Sequence, residues 1–445
     1  MEMTRTKRIL LGLALAFVVV FSFIAGFMIS RLKPSKRASS DAKEEILDLL
    51  DKYYYDDYDK SVFDIESLKA GVKSLGDPYT YLYSTDTKTS TGYFGYGFSS
   101  SDTDLGIKVN RVFDNSPASN VGIKEGDIVI GVDNLTTAKD GINKVSDYLK
   151  EKNVEVTLHM LRNYKQYSVK ISKANITVNL VESKKIGNIG YIKINEFDEG
   201  VSSKFKKALD DLEASSITGL VIDVRNNPGG LASEVASILR LFIDNKDPFL
   251  YLVDSKTNKE DVYRGINAEK KTYDIKVLIN ENSASASEVF ALAMNKVMNY
   301  DLIGTHTFGK NVFQSDFKLS SMENMCLHIT LGYWYGKDKE KITNDGINPT
   351  VEVENNYYIP MPINEETYEK DMADDEIKNI ELMLKEMGYN TRTDGYFDDD
   401  LEFILTSNFE EYRLTQEVKQ TIFNAYNEYV KNNDKVLNKA LELLN

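Results

Sequence analysis

Cysteine is nearly absent: Cys326 stands alone in 445 residues, which excludes an internal disulfide framework without excluding an extracytoplasmic location. Histidine is almost as scarce. His159, His306 and His328 are the whole supply, and they form no cluster with cysteine or carboxylate at metal-ligand spacing. The chain carries neither a phosphate-cradling P-loop nor a dinucleotide fingerprint. No metal and no cofactor are therefore expected. Positive charge is also short, with 54 Lys and Arg against 69 Asp and Glu and a net charge of −15, which argues against a nucleic-acid partner. What the chain does have is length for two to four domains and a 42% hydrophobic content that supports ordinary globular cores.

Chemistry concentrates in two stretches. Ser283-Ala284-Ser285-Ala286-Ser287-Glu288 follows an apolar run, 277–279, and a short polar turn. It opens a segment of helical character, 288–297. A strand, a sharp turn and a helix start present a hydroxyl well, and free N–H groups at the helix start face developing negative charge. Small side chains on either side let a substrate backbone approach. A serine hydroxyl needs a base, and with histidine so poorly supplied, lysine is the alternative, provided that burial keeps it neutral. Lys310, in Phe308-Gly309-Lys310-Asn311-Val312-Phe313-Gln314, sits where a lysine can turn inward.

These residues resemble the carboxyl-terminal processing proteases, the tail-specific serine peptidases of family S41. The family places the lysine of an F-G-K motif 25 positions after its nucleophile. That spacing selects Ser285 as nucleophile and Lys310 as base, and the family's glutamine falls on Gln314, which would orient the amine. Asn311 stands where the family often has glycine. The stretch Asn226-Asn227-Pro228-Gly229-Gly230 matches the family's oxyanion segment. The resemblance implies an oxyanion hole built from a backbone N–H of Gly229 or Gly230, with the choice open, and that of Ala286. Asp223 and Arg225, at the end of the preceding apolar strand, read as a structural pair that holds the turn.

The resemblance extends along most of the chain. Residues 9–29 form an uncharged run long enough to span a bilayer, and no small-residue cleavage site closes it. The expectation is a retained single-pass anchor in the cell membrane with the catalytic part extracytoplasmic, and 1–38 as tip, anchor and linker. Residues 39–91 read as a helical region ending at Leu75-Gly76-Asp77-Pro78-Tyr79, a glycine and proline stop. In the family this region takes part in dimer contacts, so a homodimer is expected.

Residues 92–174 resemble a PDZ domain. Gly95-Tyr96-Gly97-Phe98 corresponds to the loop that holds a peptide's terminal carboxylate, and Ser116-Pro117-Ala118 to Glu125-Gly126-Asp127 matches a second signature. Such a domain adds an extended C-terminal peptide to a sheet edge. Arg162, at a strand end, is expected to pair with the substrate's C-terminus. Residues 175–360 read as the peptidase core, with strand, helix and strand in succession indicating parallel strands. In 370–445, Tyr389, Asp394-Gly395-Tyr396-Phe397 and Phe409 resemble a small helical peptidoglycan-binding repeat, with Asp398 and Glu410 as departures.

The expected fold is thus α+β and multidomain: a ClpP/crotonase-like α/β core with an inserted PDZ domain, an N-terminal helical region and a small helical C-terminal domain. The expected function is a membrane-anchored serine endopeptidase that cleaves extracytoplasmic proteins near free C-termini, with peptidoglycan as a second partner. The alternative is a non-catalytic PDZ scaffold at the cell wall.

Overall fold

The computed structural model describes residues 36–445, apart from 59, 61–67, 86, 87, 90, 91, 114, 163, 164 and 178. The expected anchor at 9–29 lies outside the described residues, and among those described no helix is long and apolar enough to cross a membrane. Two compact units are present. One comprises the described residues up to 86 with 254–258 and 314–332; the other comprises 87–253, 259–313 and 333–445.

The first unit contains helices Lys36–Tyr53 and Leu68–Lys73. Helical spacing puts Ile46 and Leu50 on one buried stripe, and they share a core with Val72, Leu327 and Ile329. At the 75–79 stop, the Asp77 carboxylate accepts the Tyr79 N–H at 2.9 Å and the Thr80 hydroxyl at 2.6 Å. The chain then enters strand Tyr81–Ser84, which pairs antiparallel with residues 325–328.

In the larger unit a six-stranded sheet runs in the order Val181–Ile186, Ile189–Ile194, Gly219–Asp223, Asp274–Ile279, Asp301–Gly304 and Val351–Glu352. The first pair is antiparallel and the rest are parallel. Successive side chains on a strand face opposite ways, and here both faces are covered. Ile192, Ile222, Val277 and Leu302 pack under helices Val201–Ala214, Ala232–Leu239 and Ala286–Lys296. Tyr191, Val221, Leu278 and Ile303 pack instead on the final helix, Lys435–Leu444, through Val436 and Ala440. Two-sided burial explains why these strands read as continuous apolar runs. Parallel strands also send the loops after Asp223, Ile279 and Gly304 off the same edge of the sheet.

Strands Gly92–Gly95 and Ala174–Thr177 pair antiparallel. Between them a separate six-stranded sheet is inserted, ordered Phe98–Thr103, Gly106–Val112, Ile128–Val132, Val156–Arg162 and Lys165–Ile171, with the short strand Leu135–Thr136 paired to Ile128–Val132. Helix Ile142–Glu151 closes its core with Val145 and Leu149.

The C-terminal module has helices Asp375–Glu386, Asp399–Phe409 and Gln416–Asn432. The stripe of Ile377, Ile380 and Leu384 is buried, and Phe397 joins it, with Tyr389 and Phe409 packed alongside. The aromatic spacing that carried the repeat resemblance thus belongs to the interior of this module. Asp398 caps the second helix by accepting the Leu401 N–H at 2.9 Å.

Candidate active site

Three loops converge at the carboxyl ends of the parallel strands. The first, after Asp223, is shaped by Asn227, which is fully buried. Its Nδ2 donates to the Ile194 carbonyl at 2.9 Å, and its Oδ1 accepts the Gly229 N–H at 2.9 Å. Its carbonyl accepts the Ala284 N–H at 3.0 Å and the Ser287 hydroxyl at 2.9 Å. Those bonds fasten the loop to the serine turn.

The serine turn is the second loop. Ser283 and Ser287 are fully buried, and their hydroxyls are spent on the Val224 and Asn227 carbonyls at 2.9 Å each. Ser285 differs. It is half-buried, caps helix Ala286–Lys296, and has φ 54° and ψ −114°. A non-glycine residue in that region costs about 1–3 kcal/mol and persists only where its surroundings enforce it.

Glu288 enforces it. This buried carboxylate accepts the Ser285 N–H on Oε2 at 2.8 Å and the Thr307 hydroxyl on Oε1 at 2.7 Å. It also accepts the Gly309 N–H on Oε1 at 2.7 Å and the Lys310 N–H on Oε2 at 2.9 Å. Burial pushes its carboxyl above the usual range, against the pull of these donors. One oxygen therefore holds the backbones of both Ser285 and Lys310. From sequence Glu288 reads only as a helix-start carboxylate favouring the dipole; no local pattern betrays donors from a loop some twenty residues on.

That loop, 305–311, is the third. Thr307 is locked from behind by the Ile347 N–H, which reaches its hydroxyl at 2.7 Å. The Phe308 N–H donates to the Ser283 carbonyl at 3.0 Å. Lys310 is half-buried, and its carbonyl accepts the Trp334 indole N–H at 2.7 Å. Asn311 sends its amide to the Ile342 carbonyl at 3.1 Å, an anchor that a glycine there would lack. No histidine hydrogen-bonds Ser285 among the described residues. The ring of His306 is held to the Thr307 carbonyl, that of His159 to Ser168 and Asp133, and that of His328 to Asp316.

The two glycines separate cleanly. The Gly229 N–H is taken by Asn227, whereas no hydrogen bond engages the N–H of Gly230 or of Ala286 among the described residues. Gly229 has a different duty. Its φ is 107°, and an added Cβ would lie 2.8 Å from Ser285 Cβ and 2.9 Å from the Ala286 nitrogen. Gly229→Ala should therefore lower turnover by about 10²–10³, the loss typical of one oxyanion donor, by displacing the serine turn; steady-state kinetics on the folded variant would check it.

Residues 92–172 match the family described as PDZ domain, and residues 188–353 match Peptidase family S41. A probable CtpA-like serine protease of Staphylococcus aureus (strain MRSA252) is 30% identical, over 97% of this chain and 90% of that protein. The chain belongs to peptidase family S41. It is a serine-type peptidase. Carboxy-terminal processing protease CtpB of Bacillus subtilis (strain 168) is 29% identical over 81% of this chain and 78% of its own. In fold, the chain is similar to a photosystem II D1 C-terminal processing protease, with TM-score 0.57 and 20% identity over 70% of this chain and 93% of that one.

In this S41 peptidase the PDZ loop has a definite polarity. The Tyr96 carbonyl accepts the Ala118 N–H at 2.9 Å, and the Gly97 carbonyl accepts the Phe113 N–H at 2.9 Å and the Ser116 hydroxyl at 3.1 Å. In a trans peptide the N–H points opposite to the C=O, so the N–H groups of Gly97 and Phe98 face away from those partners. Gly97 must lack a side chain, because a Cβ would fall 2.1 Å from Ser116 Cβ. Gly95 precedes the loop at the end of its strand, and Phe98–Thr103, which follows it, is an edge strand.

The expectation for Arg162 is corrected. It lies on the fourth strand of the PDZ sheet, three strands from that edge. Only 3% exposed, it forms a fork with Asp127: Nε to Oδ1 at 2.6 Å and Nη2 to Oδ2 at 2.7 Å. Its other donors go to the Gly122 and Pro360 carbonyls and the Tyr167 hydroxyl. Its burial and these partners set the guanidinium apart from the edge strand where a ligand carboxylate would bind. Breaking such a buried pair costs about 3–5 kcal/mol, so this arginine holds the domain together. Gln314 falls in the smaller compact unit, where its amide reaches the Thr330 hydroxyl at 3.5 Å.

Proposed function

We propose that the chain is a membrane-anchored endopeptidase that cleaves extracytoplasmic proteins near their C-termini with Ser285 as nucleophile and Lys310 as general base. The single observation that carries this reading is the Glu288 carboxylate, which binds the backbones of Ser285 and Lys310 through one oxygen. Two residues 25 apart in sequence are thereby held at one point, and among the described residues no hydrogen bond engages the N–H groups of Gly230 and Ala286.

In this scheme the neutral Lys310 amine takes the Ser285 hydroxyl proton as Oγ attacks the scissile carbonyl. The Gly230 and Ala286 N–H groups receive the oxyanion. Lysine then returns the proton to the leaving amine, and water hydrolyses the acyl-enzyme by the same exchange in reverse. The PDZ edge strand receives the substrate's tail, and the outward N–H groups of Gly97 and Phe98 bind its carboxylate. The uncharged run at 9–29 supplies the anchor and places the catalytic part outside the cytoplasm.

The test uses the full chain in detergent and an unfolded reporter ending in an apolar residue, with its C-terminus either free or amidated. Hydrogen bonds to a charged group contribute about 1.5–3 kcal/mol, so amidation should lower kcat/KM by roughly tenfold to a hundredfold. Equal cleavage of the two reporters would remove the carboxylate from the scheme. Cleavage of neither would favour a non-catalytic scaffold.

A further inference from the structure

We infer that Asp434 is a positioning residue for the loop that carries Gly230, so that the final helix forms part of the catalytic apparatus. This rests on the proposed roles of Ser285 and Gly230.

Arg225 begins the loop, and two carboxylates grip its guanidinium. From the sheet side, Asp223 accepts Nε on Oδ1 at 3.0 Å and Nη2 on Oδ2 at 2.6 Å. Asp223 is buried and further fixed by the Tyr191 hydroxyl at 2.8 Å. From the other side, Asp434 accepts Nη1 on Oδ1 at 2.9 Å and Nη2 on Oδ2 at 2.7 Å. Paired forks of this kind fix the plane of the guanidinium as well as its charge.

Asp434 is itself anchored. It accepts the Leu437 N–H at 3.0 Å as the N-cap of helix Lys435–Leu444, and the Asn355 amide at 3.0 Å. Burial works against its ionisation, but Arg225 outweighs it and holds the carboxyl down to about 2. The helix has a separate apolar hold on the sheet through Val436, Leu437, Ala440 and Leu441. Helix docking and loop positioning are thus carried by different side chains.

The loop continues from Arg225 without slack. Asn226 takes φ 60°, donates its N–H to Asn280 Oδ1 at 2.8 Å, and accepts the Asn280 and Asn282 amides on its own Oδ1 at 2.6 and 3.1 Å. The cavity of about 1190 Å³ behind the loop is lined by Arg225, Asn226, Asn280, Asn282 and Asp434. On that side Arg225 and Asn226 border open space, held by the asparagines and the carboxylates. With Asp434 neutral or gone, the guanidinium keeps one carboxylate and can swing into that space, carrying Asn226 and the glycines beyond it. A displacement of about 1 Å at reacting groups can cost 10²-fold in rate.

The experiment compares the full chain with Asp434→Asn, Asp434→Glu and, on the same helix, Glu442→Gln. We expect Asp434→Asn to lower kcat by about tenfold or more while KM stays within about twofold. Affinity for a peptide boronate, which forms a tetrahedral adduct on Ser285, should fall by the same factor as kcat. Asp434→Glu should recover part of the loss, and Glu442→Gln should match the parent. Asp434→Asn with parental kcat, in an assay where Ser285→Ala is inactive, overturns the positioning role and leaves the serine reading standing. A kcat loss without loss of boronate affinity also overturns it, because a merely structural role moves the one without the other. Full activity in Ser285→Ala overturns the serine reading, and the positioning role with it.

Discussion

Ser285→Ala and Lys310→Ala should each reduce turnover by about 10⁴–10⁶, and the double variant should lose no more than either alone, because groups that act as a unit are not additive. The hydroxyl is useless without a base, and the base has nothing to activate without the hydroxyl. Ser285 is also the one serine of its turn with a hydroxyl not spent on a backbone carbonyl: those of Ser283 and Ser287 are. Ser283→Ala and Ser287→Ala therefore serve as controls that weaken the turn without removing a nucleophile. The measurement is single-turnover cleavage with KM followed in parallel. Additive losses in the double variant would separate Lys310 from Ser285 mechanistically, and activity in Ser285→Ala would move the nucleophile elsewhere.

The second large effect is expected at Glu288, which touches no substrate in the proposed scheme. Glu288→Gln keeps the shape but replaces one accepting oxygen with an NH₂ group. Either the Ser285 and Lys310 N–H groups or the Thr307 hydroxyl and Gly309 N–H would then face a donor. Each hydrogen bond to a charged acceptor contributes about 1.5–3 kcal/mol, so losing two releases the Lys310 loop in either orientation, and the φ of Ser285 as well when the NH₂ group replaces Oε2. Turnover should fall on the order of 10³, with the variant still folded and able to bind substrate, as checked by thermal melting and by binding of an uncleaved peptide. A folded Glu288→Gln within tenfold of the parent would show that the two backbones keep their places without this carboxylate.

Much of the fold was legible in the sequence because the signals were local. The unbroken apolar run in 219–223 marks two-sided burial, and the observed helix Ala286–Lys296 begins two residues before its expected start. The candidate site was legible where a motif carried it: the serine turn, the lysine loop and the glycine pair. What escaped were bonds closed by the fold. The choice between Gly229 and Gly230 depends on a side chain two residues upstream bending back, and Glu288 gathers donors from two loops. The Arg162 expectation failed for a related reason. Its partner Asp127 lies 35 residues away, and a lone arginine at a strand end looks solvent-facing until that carboxylate is seen.

The last helix has a consequence for timing. The face of the central sheet that carries Tyr191, Val221, Leu278 and Ile303 is closed by Val436 and Ala440, residues more than a hundred positions after Ser285. A nascent chain in which the serine turn, the lysine loop and the PDZ domain have all been synthesised still shows this apolar face to its surroundings. The sheet is finished only when residues 435–444 become available. Until then the sheet that sends out the loops after Asp223, Ile279 and Gly304 is covered on one face only.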